Sequence, residues 1–222
     1  KGSGQFAPIT WAQALDEVAS KLRGIAARNP EAIVPYSYGG TLGLLQSESM
    51  ASRFWHQLGA SRLARTICAS AGAEGLMKTY GGKIGLKTLD FAASRLIVIW
   101  GSNSIASNLH FWTIAQEAKR AGARIICIDP RRSETAEKCH QHVALLPGSD
   151  GALALGLMRE WITQGLVDTE YANKHVNGYD ELHAQAMGWT LERTAQTCGL
   201  QVAEVQALAL EMATTAPLGI RL

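Results

Sequence analysis

Two short apolar runs constrain the fold of this chain more than anything else in it: Leu96-Ile97-Val98-Ile99-Trp100, and Ile125-Ile126-Cys127-Ile128 behind Arg124. A strand with one face in water alternates apolar and polar residues. These runs are continuous, so both strands are predicted to be buried on both faces, which is the pattern of a parallel sheet. Between them, Asn108 to Arg120 has helical character and is closed by Gly122. Strand, helix and strand make a βαβ unit, and the alternation of β and α signals predicts a doubly wound α/β layer with flanking helices.

The remaining elements are read from the same signals. Thr10-Trp11-Ala12-Gln13 has the form of a capping box, and Ala14, Leu15, Val18, Leu22 and Ile25 share one helical face, predicting a helix over 11–28 stopped before Asn29-Pro30. Ala32 to Tyr38 is β-prone, Gln46 to Leu58 is helical with Gly59 as its stop, and Ser70 to Tyr80 is a short helix before a loop at Gly81, Gly82 and Gly85. Val143 to Leu146 is predicted as a third, shorter strand, Gly151 to Gln164 as a helix, and Tyr179 to Thr215 as mostly helical with a break at Gly199. Pro217 to Leu222 reads as a strand just beginning, and Lys1 stands where a Met would open a complete chain, so a segment of a longer protein is expected.

Composition narrows the classes. The 222 residues are 47% hydrophobic, enough to fill a core, and 21 Lys and Arg against 19 Asp and Glu give a net charge of +2. Both signs are interspersed, so no basic stripe announces a nucleic-acid partner. No apolar run approaches the roughly 20 residues that span a bilayer, and no leader pattern precedes the first helix, so a soluble segment without membrane contact is expected. Cys68, Cys127, Cys139 and Cys198 are far apart and form no CxxC, against both a zinc site of local spacing and a small disulfide scaffold. A reducing, cytoplasmic setting is the expectation.

Ligands of open parallel sheets bind beyond the carboxyl ends of the strands. After Trp100 comes Gly101-Ser102-Asn103-Ser104-Ile105-Ala106-Ser107-Asn108, a glycine, hydroxyls and amides leading into a helix N-terminus, which suits a phosphate or merely joins strand to helix. Asp129, in Asp129-Pro130-Arg131, stands where dinucleotide folds place the carboxylate that grips ribose, or it caps local backbone amides in an Asp-Pro turn. In Gly148-Ser149-Asp150-Gly151, Asp150 is either a helix N-cap or a carboxylate that accepts the ring N–H and exocyclic amine of guanine. Cys68 sits among small residues before a helix, which would favour its thiolate, or it is buried and inert. The six histidines show no metal spacing and read as structural or surface residues, although His140 and His142 would share one face of an extended segment.

Taken in order, Ile9-Thr10-Trp11, Cys68 with Gly75-Leu76, Gly101-Ser102-Asn103, Ile128-Asp129-Pro130-Arg131 with Glu134-Thr135-Ala136, and Pro147 to Leu153 resemble the molybdopterin oxidoreductase family. That family includes formate dehydrogenases, nitrate reductases and dimethyl sulfoxide reductases. The similarity extends through Tyr171-Ala172, Gly178-Tyr179-Asp180 and the Trp189 to Gly199 stretch, nearly the whole chain. It implies a bis-molybdopterin guanine dinucleotide carrying molybdenum or tungsten, with Gly101, Asn103, Asp129 and Asp150 lining one dinucleotide. Ser102, Asn108, Arg131, Gly148 and Ser149, in the same loops, join them as cofactor-binding candidates. The resemblance also places Cys68 as catalytic residue and metal ligand. The residue after Cys68 is Ala69, where formate dehydrogenases of the family carry a histidine, which counts against formate.

The resulting expectation is the central part of a multidomain enzyme. Residues 1–65 are taken as part of a discontinuous α/β domain and 66–222 as a Rossmann-like dinucleotide domain, C-terminally truncated. The parent is expected to carry out two-electron redox or oxygen-atom transfer on a small-molecule substrate. A 4Fe-4S cluster with ligands outside this segment, and an electron-transfer subunit, would carry the electrons. The isolated segment is expected to be inactive and to self-associate. The alternatives are a non-catalytic scaffold or electron-transfer subunit of the same fold, and an NAD-type nucleotide module, which the missing third glycine of the fingerprint weakens.

Overall fold

The computed structural model describes residues 2–36, 49–64, 66 and 70–222. The chain forms two compact units, Lys1–Ile84 and Gly85–Leu222, so residues 66–84, grouped above with the second domain, fall in the first unit. Among the described residues no helix is long and apolar enough to cross a membrane.

In the first unit, helix α1 (Trp11–Ala26) opens on the predicted capping box. The Gln13 N–H donates to Thr10 Oγ1 at 3.2 Å while the Thr10 N–H donates to Gln13 Oε1 at 2.9 Å, satisfying two otherwise free donors. Helix α2 (Ser52–Leu58) ends at Gly59, whose φ of 76° closes the helix in the left-handed region. Helix α3 covers Ser70–Tyr80. The predicted strand at 32–38 is corrected. Asn29 accepts from the Glu31 N–H and Pro30 sits at the first helical position, so Pro30–Ala32 winds into a 3-10 turn, and residues 33–36 that follow are not a strand. Residues 37 and 38 lie outside the described residues.

The second unit is built on four parallel strands in the order β3-β2-β1-β4. They are β1 (Leu96–Trp100), β2 (Arg124–Ile128), β3 (Gln141–Val143) and β4 (Leu218–Arg221). Helices α4 (Ser104–Ser107) and α5 (Leu109–Arg120) join β1 to β2, and α6 (Glu134–Lys138) joins β2 to β3. Five helices lead from β3 to β4: α7 (Asp150–Thr163), α8 (Thr169–His175), α9 (Tyr179–Met187), α10 (Leu191–Cys198) and α11 (Val202–Thr214).

The continuous apolar runs divide between two cores by the two-residue period of a strand. Leu96, Val98, Ile126, Ile128 and Val143 pack with Leu153 and Leu157 of α7, Cys198 of α10, and Val205 and Leu208 of α11. Ile97, Ile99 and Ile125 face the other way, against Phe91, Phe111, Trp112 and Ala115. Phe91 and Phe111 meet edge to face with centroids 4.9 Å apart. Every side chain from Leu96 to Ile99 is fully buried, so none of these four positions could have been polar without an internal partner.

One expected strand shifts and two helices are added. The third strand lies at Gln141–Val143 rather than at 143–146, because the ladder pairs Ile126 with Gln141, Cys127 with His142 and Ile128 with Val143. As the terminal strand of the sheet it carries polar residues that the apolar-run rule passes over. Helices α4 and α8 add to the predicted set; α8 is capped by Asp168, whose carboxylate accepts from the Tyr171 N–H at 2.8 Å.

Helices α7 and α10 approach closely at Gly156, where an added Cβ would lie 2.8 Å from the Cβ of buried Thr194. Gly156→Ala is expected to destabilise the chain by about 1–3 kcal/mol despite its gain in helix propensity. Gly151→Ala, on the same helix and facing open space, is expected to be neutral or stabilising. Urea titration of both variants checks the pair; equal stabilities would contradict the close packing.

Candidate functional site

Strands β1, β2 and β3 end level with one another. Trp100 pairs with Ile128, and Ile128 with Val143, so the loops that follow leave from one edge of the sheet. The Gly101 N–H donates to Ile128 O at 2.8 Å and the Asp129 N–H to Val143 O at 3.1 Å, carrying the ladder one residue into each loop. Gly101 (φ 67°) and Gly148 (φ 82°) both hold left-handed backbone that glycine alone adopts freely. Nothing lies within 4 Å of where a Cβ would stand on either, so the first and third loops present bare backbone to open space.

The first and second loops are tied together through Asn103. Its Nδ2 donates to Glu134 Oε2 at 3.0 Å, and its Oδ1 accepts from Thr135 Oγ1 at 2.8 Å. Thr135, fully buried, in turn accepts from the Ile105 N–H at 3.0 Å. Both ends of the Asn103 amide therefore hold the loop in shape. Asn108 caps α5, accepting from the Phe111 N–H at 3.1 Å, and the Ser102 and Ser104 hydroxyls share a hydrogen bond of 3.2 Å. The Glu134 carboxyl is held below the usual carboxylate range, first by its own backbone N–H and then by the Asn103 amide.

In the second loop, Asp129 Oδ1 accepts from the Arg131 N–H at 2.7 Å, the local turn foreseen as the simpler reading, and Arg131 is exposed. His142 and His140 are both bonded to the backbone around β2. His142 Nε2 lies 2.8 Å from Asp129 O, and His140 Nδ1 accepts from the Ile125 N–H at 2.8 Å. Burial, then Lys119 and Arg124, lower the His140 pKa.

In the third loop, Ser149 is buried and donates to Leu146 O at 2.6 Å. Buried Cys198 donates to Ser149 O at 3.6 Å, and burial pushes its thiol up, so the donor stays protonated. Asp150, the first residue of α7, does not cap the helix. Its Oδ1 instead accepts from the Trp100 indole N–H at 2.7 Å, across 50 residues of sequence, while the residue itself is exposed.

Seven of the candidates thus stand along one edge in three loops: Gly101, Ser102, Asn103, Asp129, Gly148, Ser149 and Asp150. Asn108 lies one turn further on as a cap, and Arg131 points to solvent. Cys68 lies outside the described residues. Among the described residues, no three His, Cys, Asp or Glu side chains converge on a metal. Sequence reasoning missed Trp100 and Thr135 as parts of the site. The available signal for Trp100 was an indole at the mouth of a buried strand, whose N–H needs an acceptor.

Comparison with known proteins identifies the lineage of this edge. Residues 1–214 match the molybdopterin oxidoreductase family. The chain belongs to that family. It is 34% identical over 223 residues to the probable oxidoreductase YoaE of Bacillus subtilis, covering 100% of this chain and 33% of that protein. To the F420-dependent formate dehydrogenase 2 subunit alpha of Methanococcus maripaludis it is 29% identical over 214 residues, 90% of this chain and 29% of that subunit. The solved acetylene hydratase from Pelobacter acetylenicus superposes with a TM-score of 0.71 at 27% identity, covering 100% of this chain and 30% of that one. The chain thus spans about a third of the relatives it matches, and these span different substrates within one family.

Asn103→Ala removes one of the two bonds that lower the Glu134 pKa and leaves the buried Thr135 hydroxyl without its acceptor. Side-chain carbon NMR should show Glu134 titrating closer to the ordinary carboxylate range in the variant. In the wild type the depressed pKa contributes stability above the unfolded-state pKa, which is lost as pH falls through the folded value. At neutral pH the unpaired Thr135 hydroxyl should cost about 1–3 kcal/mol in denaturant unfolding. An unshifted Glu134 titration would mean that the Asn103 contact does not persist in solution.

Proposed function

We propose that this chain is the dinucleotide-holding segment of a molybdopterin-dependent oxidoreductase, and that the loops after β1, β2 and β3 together grip one pterin guanine dinucleotide. The observation that carries the reading is the convergence, at one sheet edge, of bare backbone at Gly101 and Gly148 with the carboxylates of Asp129 and Asp150.

These residues fit such a group. Left-handed glycines with open space above them allow a diphosphate to approach backbone N–H groups, as a side chain would not. The Ser102 hydroxyl and the Arg131 guanidinium add a donor and a positive charge beside the same loops. Asp129, steadied by the Arg131 N–H, retains lone pairs for ribose hydroxyls. Asp150 is exposed and has lone pairs for the paired N–H groups of a guanine edge. Asn103, Asn108 and Ser149, taken from the sequence as direct contacts, act in this reading by shaping the loops, since their side chains bond within the protein.

When bound, the bis-molybdopterin guanine dinucleotide supplies two-electron redox chemistry at molybdenum or tungsten. Cys68 provides a thiolate, a soft donor matched to a metal already held by sulfur. The protein holds the dinucleotide and orients it. A 4Fe-4S cluster, a second dinucleotide and a small-molecule substrate belong to parts of the parent beyond these residues, and an electron-transfer subunit completes the electron path. The apolar residues of α1, none of which is buried, support self-association of the chain when isolated.

Asp150→Asn replaces one acceptor with a donor that faces the guanine N–H groups. Affinity for the dinucleotide, measured in the full-length parent reconstituted with purified cofactor, should fall about tenfold or more. Unchanged affinity would remove guanine from the reading. Cys68→Ala in the same parent should abolish turnover while the pterin stays bound; wild-type rates would make the cysteine structural.

A further inference from the structure

The Asp150 carboxylate is tethered on one oxygen. It is tied directly to the end of β1 by the 2.7 Å bond from the Trp100 indole N–H to Oδ1. Two contacts seat Trp100 itself. It is the last residue of β1, in register with Ile128 and following four fully buried residues, and its half-buried ring packs on the core formed with α7, α10 and α11. On the other side, Asp150 opens α7, whose preceding residue Ser149 is buried and bonded to Leu146 O. The carboxylate is thus held at both its backbone and its Oδ1, yet the residue remains exposed.

We propose that Trp100 is the specificity-determining partner of Asp150: its indole N–H fixes the carboxylate plane, so that the ring N–H and the exocyclic amine of a guanine can be accepted together. The inference rests on the reading of Asp150 as the guanine contact. A carboxylate that rotates freely still accepts a single N–H, because one bond needs only one oxygen. Accepting two parallel N–H groups requires the carboxylate plane to match the base edge, and the entropy of fixing it is lost beforehand in the folded protein. Trp100 should therefore matter to the second bond more than to the first. Hypoxanthine presents the ring N–H without the exocyclic amine, so the ratio of guanine to hypoxanthine affinity reads the second bond alone.

The test is calorimetric titration of the cofactor-free full-length parent with GDP, IDP and ADP in wild type, Trp100→Phe and Asp150→Asn, with thermal unfolding of each. Wild type should bind GDP about tenfold or more tightly than IDP, the weight of one hydrogen bond to a charged acceptor. In Trp100→Phe the GDP:IDP ratio should fall by about three- to tenfold, the cost of ordering one side chain at binding. IDP affinity should stay nearly constant. A purely structural role for Trp100 predicts instead that GDP and IDP weaken together, and a ratio unchanged from wild type overturns the proposal. Failure of the underlying guanine reading looks different: wild type would not prefer GDP over IDP and ADP, or Asp150→Asn would bind GDP as wild type does. Should Trp100→Phe fail to fold, benzothienylalanine placed at position 100 keeps the ring shape without the N–H, and the same ratio decides.

Discussion

Burial of β1 on both faces is the constraint on which the rest of the second unit depends. Leu96 and Val98 fill one core, Ile97 and Ile99 the other, and β2 and β4 pair along its two edges. A strand so enclosed can neither slip by one residue nor rotate, because either movement would send each apolar side chain to the opposite core. Its end point is fixed as a result. Trp100, Ile128 and Val143 finish level, and three loops distant in sequence open onto one edge.

Position alone would leave those loops loose. Two side-chain links organise them: Asn103 joins the first loop to α6 through Glu134 and Thr135, and Trp100 joins the end of β1 to Asp150 at the start of α7. Both links use groups that also look like ligand contacts, an amide and a carboxylate. The division of labour differs. Asn103 commits both ends of its amide internally, whereas Asp150 commits one oxygen and stays exposed. Preorganisation of this kind moves the cost of ordering polar groups from binding to folding.

The parts legible in the sequence are those with a local rule. Leu96–Trp100 and Arg124–Ile128 occur with the predicted bounds because a doubly buried strand is apolar at nearly every position. The Thr10 capping box and the Gly59 stop follow from chemistry within four residues. Strand β3 was displaced because Gln141 and His142 belong to a terminal strand, where polar residues are tolerated, and the apolar Val143 to Leu146 run drew attention past it. The three loops were legible as places where ligands bind, since each follows a strand. The contacts inside them were not. Trp100 with Asp150, and Asn103 with Thr135, are separated by 50 and 32 residues, and no spacing rule connects them before the sheet register is known. Asp150 illustrates the limit well: helix capping was the simpler reading, and the structure turns its carboxylate away from the helix to an indole.

The central claim is that the three loops act as one nucleotide site. Hydrogen–deuterium exchange of the chain, with and without saturating GDP, tests it most directly, because backbone amides report each loop separately. The account predicts slower exchange in residues 101–108, 129–133 and 144–150 together, with little change elsewhere. Protection confined to one of these loops, or found instead along α8 and α9, would contradict it.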